Sequence, residues 1–394
     1  MTLACRAFLA VVFAASPAAP QQVTLGGQLR PRFEFREPVD GGEDAFVSMR
    51  ARAHLVAALE KGVRVFLQLQ DVRLFGEETS TLGDFRADNF DLHQGWVELT
   101  RPGTVDLTAR LGRQEIVFGG ERLVGAVNWA QQGRAFDGAR ITAAGSDARV
   151  DVFGALLSDA TARSGEEDAY VVGAYGRLER IGPGTLDLYG IFDRVEGPDG
   201  TSQGTLGGRW WGERNRVRFR GEASVQVGER AGSDVVAFLV GARVGLALAE
   251  GRGSVTLWYD YLSGDDDPAD ATVRVFDTLF ATNHKFYGFA DLFTNIPAHT
   301  AGRGLQDLAV KGSYRPAPAL TLALDIHSFR VARSAGLGTG HLGEEADLTL
   351  AYRYSQEVRL VTGISHILAG RGFAEIGRLE EDSTWLYVMT DVSF

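Results

Sequence analysis

Apolar and polar residues alternate one by one along much of this chain. Between Phe46 and Glu60, Val47, Met49, Ala51, Ala53, Leu55, Ala57 and Leu59 share one parity, while Ser48, Arg50, Arg52, His54 and Glu60 share the other. Between Arg216 and Gly228, Val217, Phe219, Ala223, Val225 and Val227 oppose Arg216, Arg218, Arg220, Glu222, Ser224 and Gln226. Leu320–Ile326 and Ala346–Tyr354 repeat the pattern. Successive side chains of a strand point to opposite faces, so each segment has one oily and one wet surface. Many segments run to about ten residues, the length of a tilted membrane strand, whereas soluble strands average about five or six.

No stretch after residue 22 approaches the ~18 consecutive apolar residues of a spanning helix. Strands, not helices, must therefore cross any membrane. With every backbone group paired between neighbours, a closed barrel exposes no edge to lipid. Residues 1–22 read as a secretory leader: Arg6, the apolar run Ala7–Ala15, then small residues at Ser16–Pro20. Cys5, the one cysteine, leaves with it, so residues 23–394 carry no disulfide or thiol chemistry. Glycine is plentiful (49) and proline scarce (11), a composition suited to strands and tight turns. The net charge of −11 argues against a nucleic-acid partner, which needs a basic face.

Short turn signals recur at 60–62, 101–103, 182–184, 251–253 and 315–318. Longer polar connections fall at 76–89, 119–136, 159–168, 195–202, 264–303, 333–343 and 369–382. The two kinds roughly alternate, as periplasmic turns and extracellular loops do in a barrel. The expectation is an all-β fold: one closed antiparallel transmembrane β-barrel of about 18 strands in the outer membrane. The last strand, Thr384–Phe394, alternates and ends on Phe, which resembles the recognition signal of such barrels. Trp210–Trp211, Trp258–Tyr259, Tyr261, Tyr352, Tyr354 and Trp385 are expected in the interfacial girdles.

The wet faces are rich in arginine. Arg30, Arg32 and Arg36 share a parity in the first strand; Arg50 and Arg52 follow in the second; Arg110, Arg216, Arg218, Arg220, Arg353 and Arg359 come later. An arginine on the lipid face costs about 2–4 kcal/mol near the midplane, so these must line the lumen. Guanidinium grips carboxylates bidentately and stays charged, and only three lysines occur, Lys61, Lys285 and Lys311. A narrow pore ringed this way favours anions. Glu34, Asp151, Asp187, Glu222, Asp325, Asp347 and Glu357 are available partners that would make individual arginines braces of the wall. The expected partners are membrane lipid and an anionic polysaccharide or small anionic solute, with no cofactor and no metal. Asp265–Asp267 with Asp270 could bind calcium but reads better as a solvated turn. The seven histidines lack metal spacing, and no nucleophile elbow or phosphate loop occurs, so the chain is not read as an enzyme. Two other readings remain: a barrel hydrolase or secreted β-rich carbohydrate-active protein, and a barrel sealed by its loops.

Several blocks resemble the alginate export family of outer-membrane porins. They are Gly112–Ile116, Arg122–Gly125, Trp129, Arg134–Gly138, Asn283–Phe293 and Gly363–Gly370. The resemblance runs from about residue 25 to the end, and the 283–293 block is its most specific part; Ile364 departs from the aromatic often found there. It implies an 18-stranded monomer with an arginine-rich, electropositive constriction selecting an acidic polysaccharide on its way out of the cell; periplasmic export components are a further candidate partner. It also adds Arg113, Arg134 and Asp137 as candidate pore residues; Arg113 falls on the nominal outward face, so a bulge or the strand end is needed to turn it inward.

Overall fold

The computed structural model describes residues 22–37, 43–76, 90–161, 167–267 and 269–394. The expected leader lies outside them but for Gln22, as does most of the 76–89 loop. The strands are β1 (Gln22–Arg36), β2 (Asp44–Ala58), β3 (Val63–Leu74), β4 (Phe90–Arg101), β5 (Asp106–Gln114) and β6 (Phe136–Ala144). Next come β7 (Ala148–Ser158), β8 (Ala169–Ile181), β9 (Gly184–Val195), β10 (Thr201–Arg214), β11 (Val217–Arg230), β12 (Ser233–Leu248) and β13 (Gly253–Leu262). After the two-residue β14 (Thr272–Val273) follow β15 (Leu305–Ala317), β16 (Leu320–Val331), β17 (His341–Arg353), β18 (Val358–Ala369) and β19 (Ser383–Ser393).

Each wall strand pairs antiparallel with its sequence neighbours, and β1 pairs with both β2 and β19, which closes the sheet. The wall has 18 strands; β14 is an extra strand lying parallel to β12. Phe394 sits at the seam, exchanging backbone hydrogen bonds with Gly27 at 2.8 and 3.1 Å.

Alternation partitions the two faces as the sequence predicts. Leu29, Leu67, Val97, Leu111, Val152, Leu188, Leu206, Val225, Val240, Leu257, Leu308, Leu348 and Val388 are exposed around the outside. Trp210, Tyr259, Tyr352 and Tyr354 join them. Trp211, Trp258 and Trp385 do not: Trp258 and Trp385 are buried and Trp211 half-buried, on the lumen parity. Adjacent residues of a strand face opposite ways, so a Trp–Trp or Trp–Tyr pair supplies only one girdle member.

Two of the expected extracellular loops are instead found inside the barrel. Residues 115–135 and 263–304 fold back onto the inner wall, burying Ile116, Leu123, Phe276, Phe286, Tyr287, Phe293 and Ile296 with wall residues such as Phe153, Tyr189, Leu239 and Phe329. These apolar side chains need cover from water, and the lumen supplies it. The two loops also pair with each other: Phe280 N–H donates to Leu123 O at 2.8 Å, Gly125 N–H to Phe280 O at 2.9 Å, and Thr282 N–H to Glu121 O at 2.9 Å. They behave as one insert.

Candidate functional site

Among the described residues, the strand register sets arginine directly opposite arginine five times on the lumen parity. The pairs are Arg30–Arg50, Arg110–Arg140, Arg149–Arg177, Arg220–Arg243 and Arg353–Arg359. Like charges directly opposite destabilise a sheet. Alternating signs would serve stability better, so the arrangement carries a cost that the wall alone does not require.

The cost is partly offset by carboxylates, each shared by two arginines. Glu34 accepts from Arg32 at 2.8 Å and Arg36 at 3.0 Å. Glu98 takes Arg64 and Arg110, both at 2.5 Å. Asp151 takes Arg149 at 2.7 Å and Arg140 at 3.6 Å. Asp187 takes Arg177 at 2.9 Å and Arg209 at 2.5 Å. Each trio fixes its guanidinium groups in place yet keeps one net positive charge. Three of the trios stand near the short-turn ends of β4, β7 and β9. There Arg140, Arg149, Arg177, Asp151 and Tyr175 line a cavity of about 280 Å3 with the backbone of Gly119 and Gly120. The Glu34 trio lies at the loop end, in a recess of about 390 Å3 shared with Ser48, Trp129 and Asp291.

The opposite arc of the lumen is acidic but roofed over. Asp260 faces Asp307 across the register, and Asp325 faces Asp347. Asp260 and Asp307 are 0% exposed. The inserted loops provide most of the cover. Arg122 reaches Asp260 at 2.7 Å, donates to the Tyr287 hydroxyl at 2.6 Å and lies over the Phe286 ring at 4.1 Å. Burial works against the Arg122 charge, but Asp260, Tyr287 and Glu222 outweigh it and hold the guanidinium pKa above its ordinary value. Ala290 N–H donates to Glu345 at 2.8 Å and Phe289 N–H to Asp347 at 3.3 Å. Wall residues partner the rest: His327 bonds Asp307 at 2.9 Å and Lys311 bonds Asp325 at 2.9 Å. By contrast the Arg149 and Arg177 side chains remain 45% and 37% exposed. Water in the lumen thus meets arginine on one side and a covered acidic wall on the other, despite the chain's net charge of −11.

A family model described as alginate export matches residues 21–384. The chain belongs to the alginate export family. Among solved structures, this family member is similar in fold to OpdO of Pseudomonas aeruginosa, with 15% identity and a TM-score of 0.65 over 94% of this chain and 97% of that one. It is also similar to OccAB4 of Acinetobacter baumannii, with 11% identity and a TM-score of 0.66 over 96% and 100%. The outer membrane protein OprD of Pseudomonas aeruginosa aligns at 12% identity and a TM-score of 0.65 over 96% of each chain. No curated protein matches the chain.

In this alginate export barrel the arginines expected from sequence divide by task. Arg30 and Arg50 hold the inserted loop: Arg30 donates to the carbonyls of Asn128, Trp129 and Ala130 at 2.7–3.1 Å, and Arg50 to those of Asn128, Ala130 and Gln131 at 3.3–3.4 Å. Arg32 adds a bond to Trp129 O at 2.9 Å and covers that ring at 4.5 Å. Arg52 joins Gln70, His93 and Glu115. Arg134 donates to Ala281 O at 3.3 Å and so ties one inserted loop to the other. Arg110 and Arg220 are lumen residues bound to Glu98 and Glu222 respectively.

Others differ from expectation. Arg113 pairs with Asp137 at 2.7 Å on the parity of Leu111 and Ile141, which is the outer face. The register from Gly95–Arg113 to Arg101–Leu107 is unbroken, so no bulge turns Arg113 inward. Arg216 lies in the β10–β11 turn. Arg218, Arg353 and Arg359 are exposed at the turn-side mouth, Arg218 on Glu213 and Arg353 on Pro318 O. Arg64, Arg122, Arg140, Arg149, Arg177, Arg209 and Arg243 are lumen residues that the sequence reading passed over. Of the anticipated acidic partners, Glu34, Asp151, Asp187 and Glu222 bind arginines, Asp325 binds Lys311, and Glu357 takes Ser355 instead. In the 265–270 loop, Arg274 and backbone N–H groups occupy the aspartates; among the described residues no cluster suits a metal ion.

Proposed function

We propose that this alginate export family barrel is a passive outer-membrane channel for anions, and that its cargo is an acidic polysaccharide or a small carboxylated solute. The opposed arginine pairs support the reading, since carboxylates such as Asp151 and Asp187 offset their charge only in part. Sharing one carboxylate between two arginines makes each site rigid and only half-neutralised. Such sites attract an anion without trapping it, as conduction past successive sites requires. No role in the reading calls for a catalytic group, and the protein acts as a monomer after its leader is removed.

The test is reversal potential in planar bilayers under a potassium chloride gradient. Chloride preference is expected, and cation preference would refute the reading. A second reading, a barrel sealed by its loops, draws on the apolar packing of segments 115–135 and 263–304 inside the wall. Absence of any conductance in the intact protein would favour it.

A further inference from the structure

Arg220 and Arg243 belong to an inward row that crosses four adjacent strands. The register runs Trp211–Arg220, Arg220–Arg243 and Arg243–Trp258. At about 4.8 Å per strand the row spans ~14 Å, with two guanidinium groups between two indoles. Three of the other opposed pairs have acceptors for both members. Loop carbonyls serve Arg30 and Arg50, and the shared carboxylates serve Arg110, Arg140, Arg149 and Arg177. Arg243 differs. Among the described residues no hydrogen-bond acceptor or ion-pair partner reaches it, and its buried Nη2 has no partner. Its guanidinium carbon rests 3.0 Å from the Trp258 ring centre and 5.3 Å from that of Phe286. Across the strand pair Arg220 is bound to Glu222, yet its buried Nε is also unpartnered. Glu222, which accepts from Arg220, is also approached by Arg122 at 3.7 Å.

A buried guanidinium with an unmet N–H is costly, and a partner that fills the gap recovers that cost. Trp211, half-buried at the end of the row, has its Nε1–H on Asp187 at 3.1 Å. The geometry points to a carboxylate-binding subsite between Arg220 and Arg243, with the Trp211 ring as a platform for the body of the solute. The inference deepens the anion-channel reading and rests on it. It names one station in the lumen that holds a carboxylate, distinct from the general positive field.

Binding of D-glucuronate to the detergent-purified full chain, followed by tryptophan fluorescence, tests it, with glucose as neutral control. The native barrel is expected to show a saturable change with glucuronate and none with glucose. Arg243→Gln should raise the dissociation constant about 10-fold to 100-fold, the loss of one charge-assisted pair. Arg216→Gln, the same charge change in the β10–β11 turn, should leave it within twofold. Arg243→Lys keeps the charge without the fork and should weaken binding several-fold, which carries the test if the glutamine barrel fails to assemble. No saturable response in the native protein, an unchanged constant in both Arg243 variants, or equal weakening by Arg216→Gln would overturn the subsite. Chloride reversal potential, measured separately, reports on the channel reading and should remain anion-preferring in Arg243→Gln.

Discussion

Replacing Arg122 by methionine should release the inserted loops from the wall. The Arg122 side chain is about the volume of methionine and fully enclosed, so the substitution removes charge more than bulk. It leaves Asp260, 0% exposed, with only the Trp258 indole N–H at 2.9 Å among the described residues. It also frees the Tyr287 hydroxyl, which accepts from Arg122 at 2.6 Å. Breaking a buried pair on one side costs about 3–5 kcal/mol. At ~1.4 kcal/mol per tenfold, that raises the undocked population about a hundredfold to a few thousandfold. Limited trypsin cleavage at Lys285, in the inserted segment, reads this population when opening is fast relative to cutting. The cleavage rate should rise accordingly in Arg122→Met and fall back most of the way in Arg122→Met/Asp260→Asn, which removes the stranded charge. Cleavage within threefold of native in the single variant, or no recovery in the double, would refute the electrostatic account of docking.

Gly288 sits at φ +82°, and a Cβ there would lie within 2.5 Å of the Glu345 carboxylate, so Gly288→Ala should loosen the same insert by ~1–2 kcal/mol from backbone strain alone, read as faster Lys285 cleavage. Burial pushes the Glu115 pKa up, but the His93 hydrogen bond, Arg52 and Asn128 outweigh it and leave the value below the ordinary 4.5. A depressed carboxylate pKa stabilises the docked form above the unfolded value and loses that contribution as pH falls through the folded one. Protease protection of 115–135 should therefore decline on acidification below pH 4.5, and less steeply in Glu115→Gln. Val240→Arg, at an outward position midway along β12, should cost about 2–4 kcal/mol in urea unfolding measured in lipid vesicles.

The wall was legible in the sequence because period two is a local signal: β2, β11, β16 and β17 declare their faces residue by residue. What alternation cannot reveal is where a long connection goes. Segments 119–136 and 264–303 look like external loops by polarity and length, yet Phe276, Phe286, Phe293 and Ile296 were the available sign that part of them is covered. The site was half visible. The Arg30–Arg36 and Arg50–Arg52 runs stand out as runs, whereas Arg243 is a single arginine in the mostly apolar stretch Val235–Leu248. Its importance comes from register, which depends on pairing between strands rather than on either strand alone. Arg216 failed for a related reason: two residues sufficed for the β10–β11 turn, so the arginine run begins before the strand does.

The inserted segments cover Asp260, Glu345 and Asp347, so under the proposed channel reading pore width and ionic preference would be mechanically linked. Any swing of the insert that widens the passage also bares carboxylates to the permeating stream. The widest conducting level should then be the least discriminating, and successive current steps in a single trace should differ in reversal potential as well as in height.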